Sequence, residues 1–182
     1  DNNGFKDESV TKVNSNASRI GVKGEEKLTD KLSAVYLAEW QVNTDGDGTD
    51  LGMRNRYIGI KSDGIATLKV GRFDSYFKTA AGSNQDIFND HNELDMTAVL
   101  VCEDRLNNVI GFETDKKLLG GLAFNIMFQQ GEESSAADSA SKGKEGSRDG
   151  FGDGVSTSLT YENKDIGLAA AVAGNFGVAS KY

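Results

Sequence analysis

The chain contains no proline, one cysteine and one histidine among its 182 residues. Proline deletes ladder hydrogen bonds, so its absence beside 22 glycines suits a chain that is mostly paired strand. The single cysteine, Cys102, excludes a disulfide framework or a cluster of thiol ligands; a lone thiol behaves as a small buried hydrophobe. No apolar run approaches the ~20 residues that a membrane helix requires, which excludes a helical membrane protein. It does not exclude a spanning barrel, whose strands cross with about 10 residues of alternating polarity. Basic residues are also in deficit. Twenty lysines and arginines against 28 carboxylates leave a net charge of −8 and no basic patch for phosphate, which argues against a nucleic-acid partner. No basic stretch followed by an apolar one opens the chain, an observation of little weight because secretory signals are removed.

What the chain does have is alternation. In "LLGGLAFNIMFQQ", Leu122, Phe124, Ile126 and Phe128 share one face of a strand, and Ala123, Asn125, Met127 and Gln129 share the other. The same period of two runs through "KLSAVYLAEWQV" and "GVSTSLTYE". In "YIGIKSDGIATLKVGRF", Asp63-Gly64 separates two alternating stretches, a strong hairpin signal that predicts a tight primed turn with positive φ. Eight strands are expected, at about 18–27, 31–42, 53–61, 64–73, 104–113, 118–130, 154–162 and 166–176. The fold class is all-β.

Tight links alternate with long ones, the long ones covering about 43–52, 74–103 and 131–153. That rhythm is expected of an antiparallel up-and-down barrel with short turns on one rim and long loops on the other. Loops beyond ~15 residues call for an explanation. "GEESSAADSASKGKEGSRDGFGDG" is small, polar and of low complexity, and reads as a surface loop. Residues 74–103 instead carry Tyr76, Phe77, Ile87, Phe88, Leu94 and Met96, apolar anchors that predict a loop folded back against the barrel.

Periodicity alone does not say which face is wet. A small soluble barrel hides its apolar face inside, whereas a large membrane barrel turns it to lipid around a polar lumen. The polar face repeatedly carries basic groups: Arg19 and Lys23 in "SRIGVKGE", Arg56 in "NRYIGI", Lys69, and Arg105 in "DRLNN". Other motifs carry little chemistry. His91 has no second histidine or cysteine beside it to make a zinc site. "DGDGTD", Asp45 to Asp50, has the oxygen density of a calcium loop but lacks the glutamate that completes an EF-hand. The glycines of residues 149–154 precede a strand, where a phosphate-cradling loop leads into a helix. No nucleophile, base and orienter group themselves, so no enzyme, metal or cofactor is expected.

"SRIGVKGEEKL", "NRYIGIKSDGIATLKVGRF", "DRLNNVIGFETD", "LLGGLAFNIMFQQGE" and "GDGVSTSLTYENKDIGLAAAVAGN" resemble, in order and spacing, consecutive strands of the general porins of Gram-negative bacteria, over about residues 17–176. The resemblance implies a transmembrane antiparallel barrel of about 16 strands, assembled as a homotrimer in the bacterial outer membrane. Such a channel lets small hydrophilic solutes and ions diffuse passively and contacts outer-membrane lipid and lipopolysaccharide. On this mapping the eight strands correspond to the second through the ninth, and the chain reads as a fragment of one barrel domain.

In that family the third loop narrows the lumen and sets carboxylates opposite a ladder of arginines. The resemblance carries these roles to Arg19, Arg56 and Arg105 on the wall, with Lys23 and Lys69, and to Asp86, Asp90, Glu93 and Asp95 on the loop. Glu39 and Glu113 fall on lumen-side positions, where they balance nearby arginines or form plain wall ion pairs. The usual Pro-Glu-Phe-Gly-Gly stretch is absent and "NDHNELD" stands in its place, so no individual loop acid is singled out. Net charge tilts the expected ion preference toward cations. Two rivals stay open: a soluble barrel or sandwich acting as a ligand binder or adhesin, and a substrate-selective channel of the same architecture.

Overall fold

The computed structural model describes residue 15 and residues 18–45, 51–82, 105–130, 151, 152 and 154–177. Within these, the strands are β1 (Arg19–Lys27), β2 (Leu32–Val42), β3 (Leu51–Ser62), β4 (Ala66–Asp74), β5 (Arg105–Thr114), β6 (Leu122–Gln129), β7 (Gly154–Asn163) and β8 (Leu168–Phe176). They form one eight-stranded antiparallel sheet in which every strand pairs with its sequence neighbours, an up-and-down wall without crossovers. Each expected strand is present to within a few residues.

The tight links are built from local side-chain and glycine chemistry. Thr29 Oγ1 accepts from the amides of Lys31 and Leu32, closing the link from β1 to β2. Between β3 and β4 the Ile65 amide donates to the Ser62 carbonyl at 3.1 Å. Only Gly64 there is left-handed, at φ 68°, so the link is not the expected primed turn, in which both central residues take positive φ. β6 begins at Leu122 rather than near 118 because Leu118 and Gly121 donate to the carbonyls of Asp115 and Lys116, turning the chain before the ladder starts.

Cross-strand register sorts the side chains into rows. One row reads Tyr36, Ile58, Val70, Ile110, Phe128, Val155 and Phe176 across β2 to β8. The next reads Ala34, Ile60, Leu68, Phe112 and Ile126. These rows are on the open side of the sheet: Ile58 is 70% exposed and Phe176 64%. The intervening rows face the other way. Met127 and Ser156, aligned in one of them, are fully covered at 0%. The covered rows mix apolar, hydroxyl and charged groups, including Lys69, Glu113, Asn125 and Ser158. A buried cluster of Phe73, Tyr76, Leu106, Val109 and Met127 lies on this second side, which is the inner one.

An apolar exposed side and a polar covered side are the reverse of a soluble barrel. At the long-loop end of the outer face Phe128 stacks on Phe151 at 5.7 Å between centroids. Aromatic girdles at that height are characteristic of strands that leave the bilayer there. In the full-length protein refolded into lipid vesicles, Ile58→Lys should lower stability by about 2–4 kcal/mol. Thr67→Lys, on an inner row, should cost far less; denaturant titration of the two variants makes the comparison.

Candidate functional site

The inner face is where charged side chains converge. Arg54 Nε donates to Glu39 Oε1 at 2.6 Å, joining β3 to β2. Arg19 and Lys23 on β1 register with Gln41 and Leu37, inner positions flanking Glu39 along β2. Lys61 binds Glu25 at 3.0 Å nearer the short-turn rim. At the long-loop rim, one step beyond the inner pair of Phe73 and Leu106, Arg105 Nε is 3.2 Å from Asp74 Oδ1 and 3.1 Å from the carbonyl oxygen of the Asn55 side chain. Asn55 in turn donates to Asp74 Oδ2 at 2.6 Å, and Lys78 lies 3.7 Å from the same carboxylate. Lys69 and Glu113 are ion-paired across β4 and β5. Basic and acidic groups are therefore interleaved along the wall.

Arg56 is not among them. It pairs with Arg72 on β4 and alternates with Ile58 and Ile60, which puts it on the outer face. The reading of Arg56 as a wall arginine is corrected by this regular alternation; before it, an irregularity between Ala38 and Trp40, where β2 partners jump from Arg56 to Met53, inserts a residue into β3. The bulge separates two arginines that strict alternation would keep on one face. Arg54 comes to the inner side, and the Arg56 guanidinium donates to Met53 Sδ at 2.7 Å. Sequence spacing did carry the facing of Arg56, which stands two and four residues before Ile58 and Ile60; it held no sign of the bulge that turns Arg54 inward. Asn55 and Asp74 were likewise missed, because their contacts with each other and with Arg105 join strands far apart in sequence, and so was Lys78, four residues beyond Asp74.

Beyond β4 the chain turns inward. Ser75, Tyr76 and Ala80 are buried, and a helical turn over Lys78–Gly82 packs on β7 and β8. The Phe77 amide donates to Ser156 Oγ of β7 at 3.2 Å, and the Lys78 amide to Ser75 Oγ at 3.1 Å. Residues 75–82 thus lie across the inner face, from β4 to the far side of the sheet. Burial, with Glu113 beside it, pushes the Tyr76 phenol well above its ordinary range, so it stays neutral. Asp86, Asp90, Glu93, Asp95 and His91, with Cys102, fall outside the described residues, as does the segment 46–50 that follows Asp45. Among the described residues no group of three or more metal-ligating side chains occurs.

An antiparallel up-and-down sheet, apolar on its outside and charged on its inside, with a segment folded across the inside, is part of the wall of a transmembrane β-barrel. The family profile described as Gram-negative porin matches residues 1–181, and the chain belongs to that family. It is 36% identical over 67 residues to the major outer membrane protein P.IB of Neisseria meningitidis serogroup A, covering 37% of this chain and 20% of that protein. With the P.IB protein of Neisseria sicca it shares 25% identity over 137 residues, covering 73% of this chain and 37% of the relative. Among solved structures, the anion-selective porin from Comamonas acidovorans matches 88% of this chain and 47% of its own, at 17% identity and a TM-score of 0.63. OmpF of Salmonella typhi, in complex with daunomycin, matches 86% and 45%, at 19% identity and a TM-score of 0.65. The chain therefore spans about half the length of these solved porins and less of the curated relatives. The family and these outer-membrane relatives assign it to the bacterial outer membrane.

Removing the β7 anchor should loosen the crossing segment. Ser156→Ala is expected to speed hydrogen exchange at the Phe77 amide about fivefold, the equivalent of one ordinary hydrogen bond, without affecting strand amides.

Proposed function

We propose that the whole protein is a passive diffusion channel for small hydrophilic solutes and ions across the outer membrane. The observation that carries this reading is the inversion of the sheet: continuous apolar rows outside and a wall carrying polar and charged groups inside. A soluble ligand binder or adhesin leaves the exposed rows unexplained. Membership of the porin family supports a channel rather than an enzyme.

Residues 74–103 act as the constriction loop, entering the lumen at Ser75 and narrowing it opposite the wall. Interleaved charges of both signs set a transverse field there, which orients dipolar solutes and sorts ions. On the basic side we assign Arg19, Lys23 and Arg54, the last paired with Glu39 on the same wall, with Arg105 at the mouth; on the acidic side the loop carboxylates Asp86, Asp90, Glu93 and Asp95. The acidic excess of the chain favours cations.

The assembly is a homotrimer, surrounded by lipid and lipopolysaccharide. Arg56 and Arg72 stand opposite each other on the outer face, flanked by Ile58 and Val70. An arginine turned to lipid costs as much as about 2–4 kcal/mol near the midplane, so this patch suits a protein neighbour better than lipid. A second copy, itself carrying a net charge of −8, supplies carboxylates.

Planar-bilayer recording of the full-length protein tests the reading. Stepwise conductance is expected, with Arg54→Ala shifting the reversal potential toward cations. Arg56→Glu should leave that potential unchanged while weakening the trimer in native gels. Absence of conductance from well-folded protein contradicts the channel; a selectivity change with Arg56→Glu and none with Arg54→Ala contradicts the assignment of faces.

A further inference from the structure

Lys69 occupies an unusual place for a charge on the wall of a water-filled passage. Its ammonium lies 4.9 Å from the ring centre of Tyr57, 4.8 Å from that of Phe73 and 5.9 Å from that of Tyr76. Tyr57 and Phe73 belong to the strands β3 and β4, but Tyr76 belongs to the crossing segment. The aromatic rings also meet one another, Tyr57 edge-on to Phe73 at 5.7 Å and Phe73 tilted to Tyr76 at 6.2 Å. Glu113 on β5 closes the cage with an ion pair, and only 13% of the Lys69 side chain remains exposed. Beneath the cage Gly111 is required by space: a Cβ there would stand 2.6 Å from the Tyr76 hydroxyl and 2.8 Å from the Phe73 ring.

The family resemblance placed Lys69 among the wall charges of the constriction and left Glu113 either balancing an arginine or in a plain wall ion pair. Their geometry gives them another task. A cation paired to a carboxylate presents little net charge to the lumen. A cation held among three ring faces with water excluded binds those rings more firmly than it would in solution. One of those rings is the first large side chain of the segment that enters the lumen.

We propose that Lys69 is a positioning residue, a cationic clasp that with Glu113 holds Tyr76, and through it the entering segment, against the wall. Resting on the channel reading above, the clasp governs how steadily the passage stays open and leaves the sign of the preferred ion to the other wall charges. Loss of the clasp frees the segment at its root while the anchor of Phe77 on Ser156 remains.

The test uses full-length protein folded in detergent micelles, with the variants Lys69→Met, Lys69→Arg and Tyr76→Leu. Hydrogen exchange at the amides of residues 75–80 should quicken about tenfold or more in Lys69→Met and Tyr76→Leu. Strand amides of β4 and β5 should stay as slow as in the parent protein. Lys69→Arg should restore protection, since a guanidinium also stacks on aromatic faces. In single-channel records Lys69→Met combined with Glu113→Gln, which leaves the net charge of the wall unchanged, should raise open-state noise and leave the permeability ratio unchanged. Unchanged exchange in Lys69→Met overturns the clasp, as does faster exchange spread equally over the strands. A shifted permeability ratio with steady current does so too, because it returns Lys69 to the ion filter. The exchange measurement stands without conductance, so failure of the channel reading and failure of the clasp are told apart.

Discussion

Parity along the strand is the constraint on which the rest of this structure depends. Because successive side chains point to opposite faces, a fixed register ties every residue of one strand to the facing of its neighbours. Ile58 pairs with Val70, Val70 with Ile110 and Ile110 with Phe128, so one choice of face propagates across the wall. The backbone groups are satisfied laterally by the ladder, which is what permits the apolar rows to face hydrocarbon. Side-chain burial is then dispensable on the outside and reserved for one patch inside, where the chain crosses its own wall.

That internal patch explains an apparent contradiction. A polar lumen has no use for an apolar cluster, yet Phe73, Leu106, Val109 and Met127 are buried on the inner face. They are dry because Tyr76 covers them, and Gly111 leaves room for that cover. Away from the segment, the same face keeps its charges in cross-strand pairs such as Arg54 with Glu39 and Lys61 with Glu25. Lys61 with Glu25 is the more exposed of the two, and a pair of that kind adds little stability.

The strands, their order and the alternation of short and long links were legible in the sequence because each rests on local chemistry: period-two patterning and turn residues such as Thr29, Gly64 and Asn163. The facing of the sheet was legible from its basic residues together with the family resemblance. Arg56 shares the parity of Ile58 and Ile60 and so belongs to the outer row by alternation alone; what was not legible is Arg54, which a bulge opposite β2 moves to the inner face. The signal for that bulge is the pairing register, a property of two strands rather than one. The roles of Lys69 and Glu113 were hidden for the same reason. Their cage needs Tyr57, Phe73 and Tyr76 from separate elements, and nothing in "TLKVGRF" announces it.

Inversion of the sheet is tested most directly by spin labels placed singly in a Cys102→Ser background of the full-length protein in lipid bilayers. Labels at Leu68, Phe124 and Leu159 should collide with dissolved oxygen far more than with a water-soluble nickel chelate. Labels at Lys23, Thr67 and Asn125 should show the opposite preference. Outer-row labels bathed in the chelate, with inner-row labels shielded from it, would contradict the account.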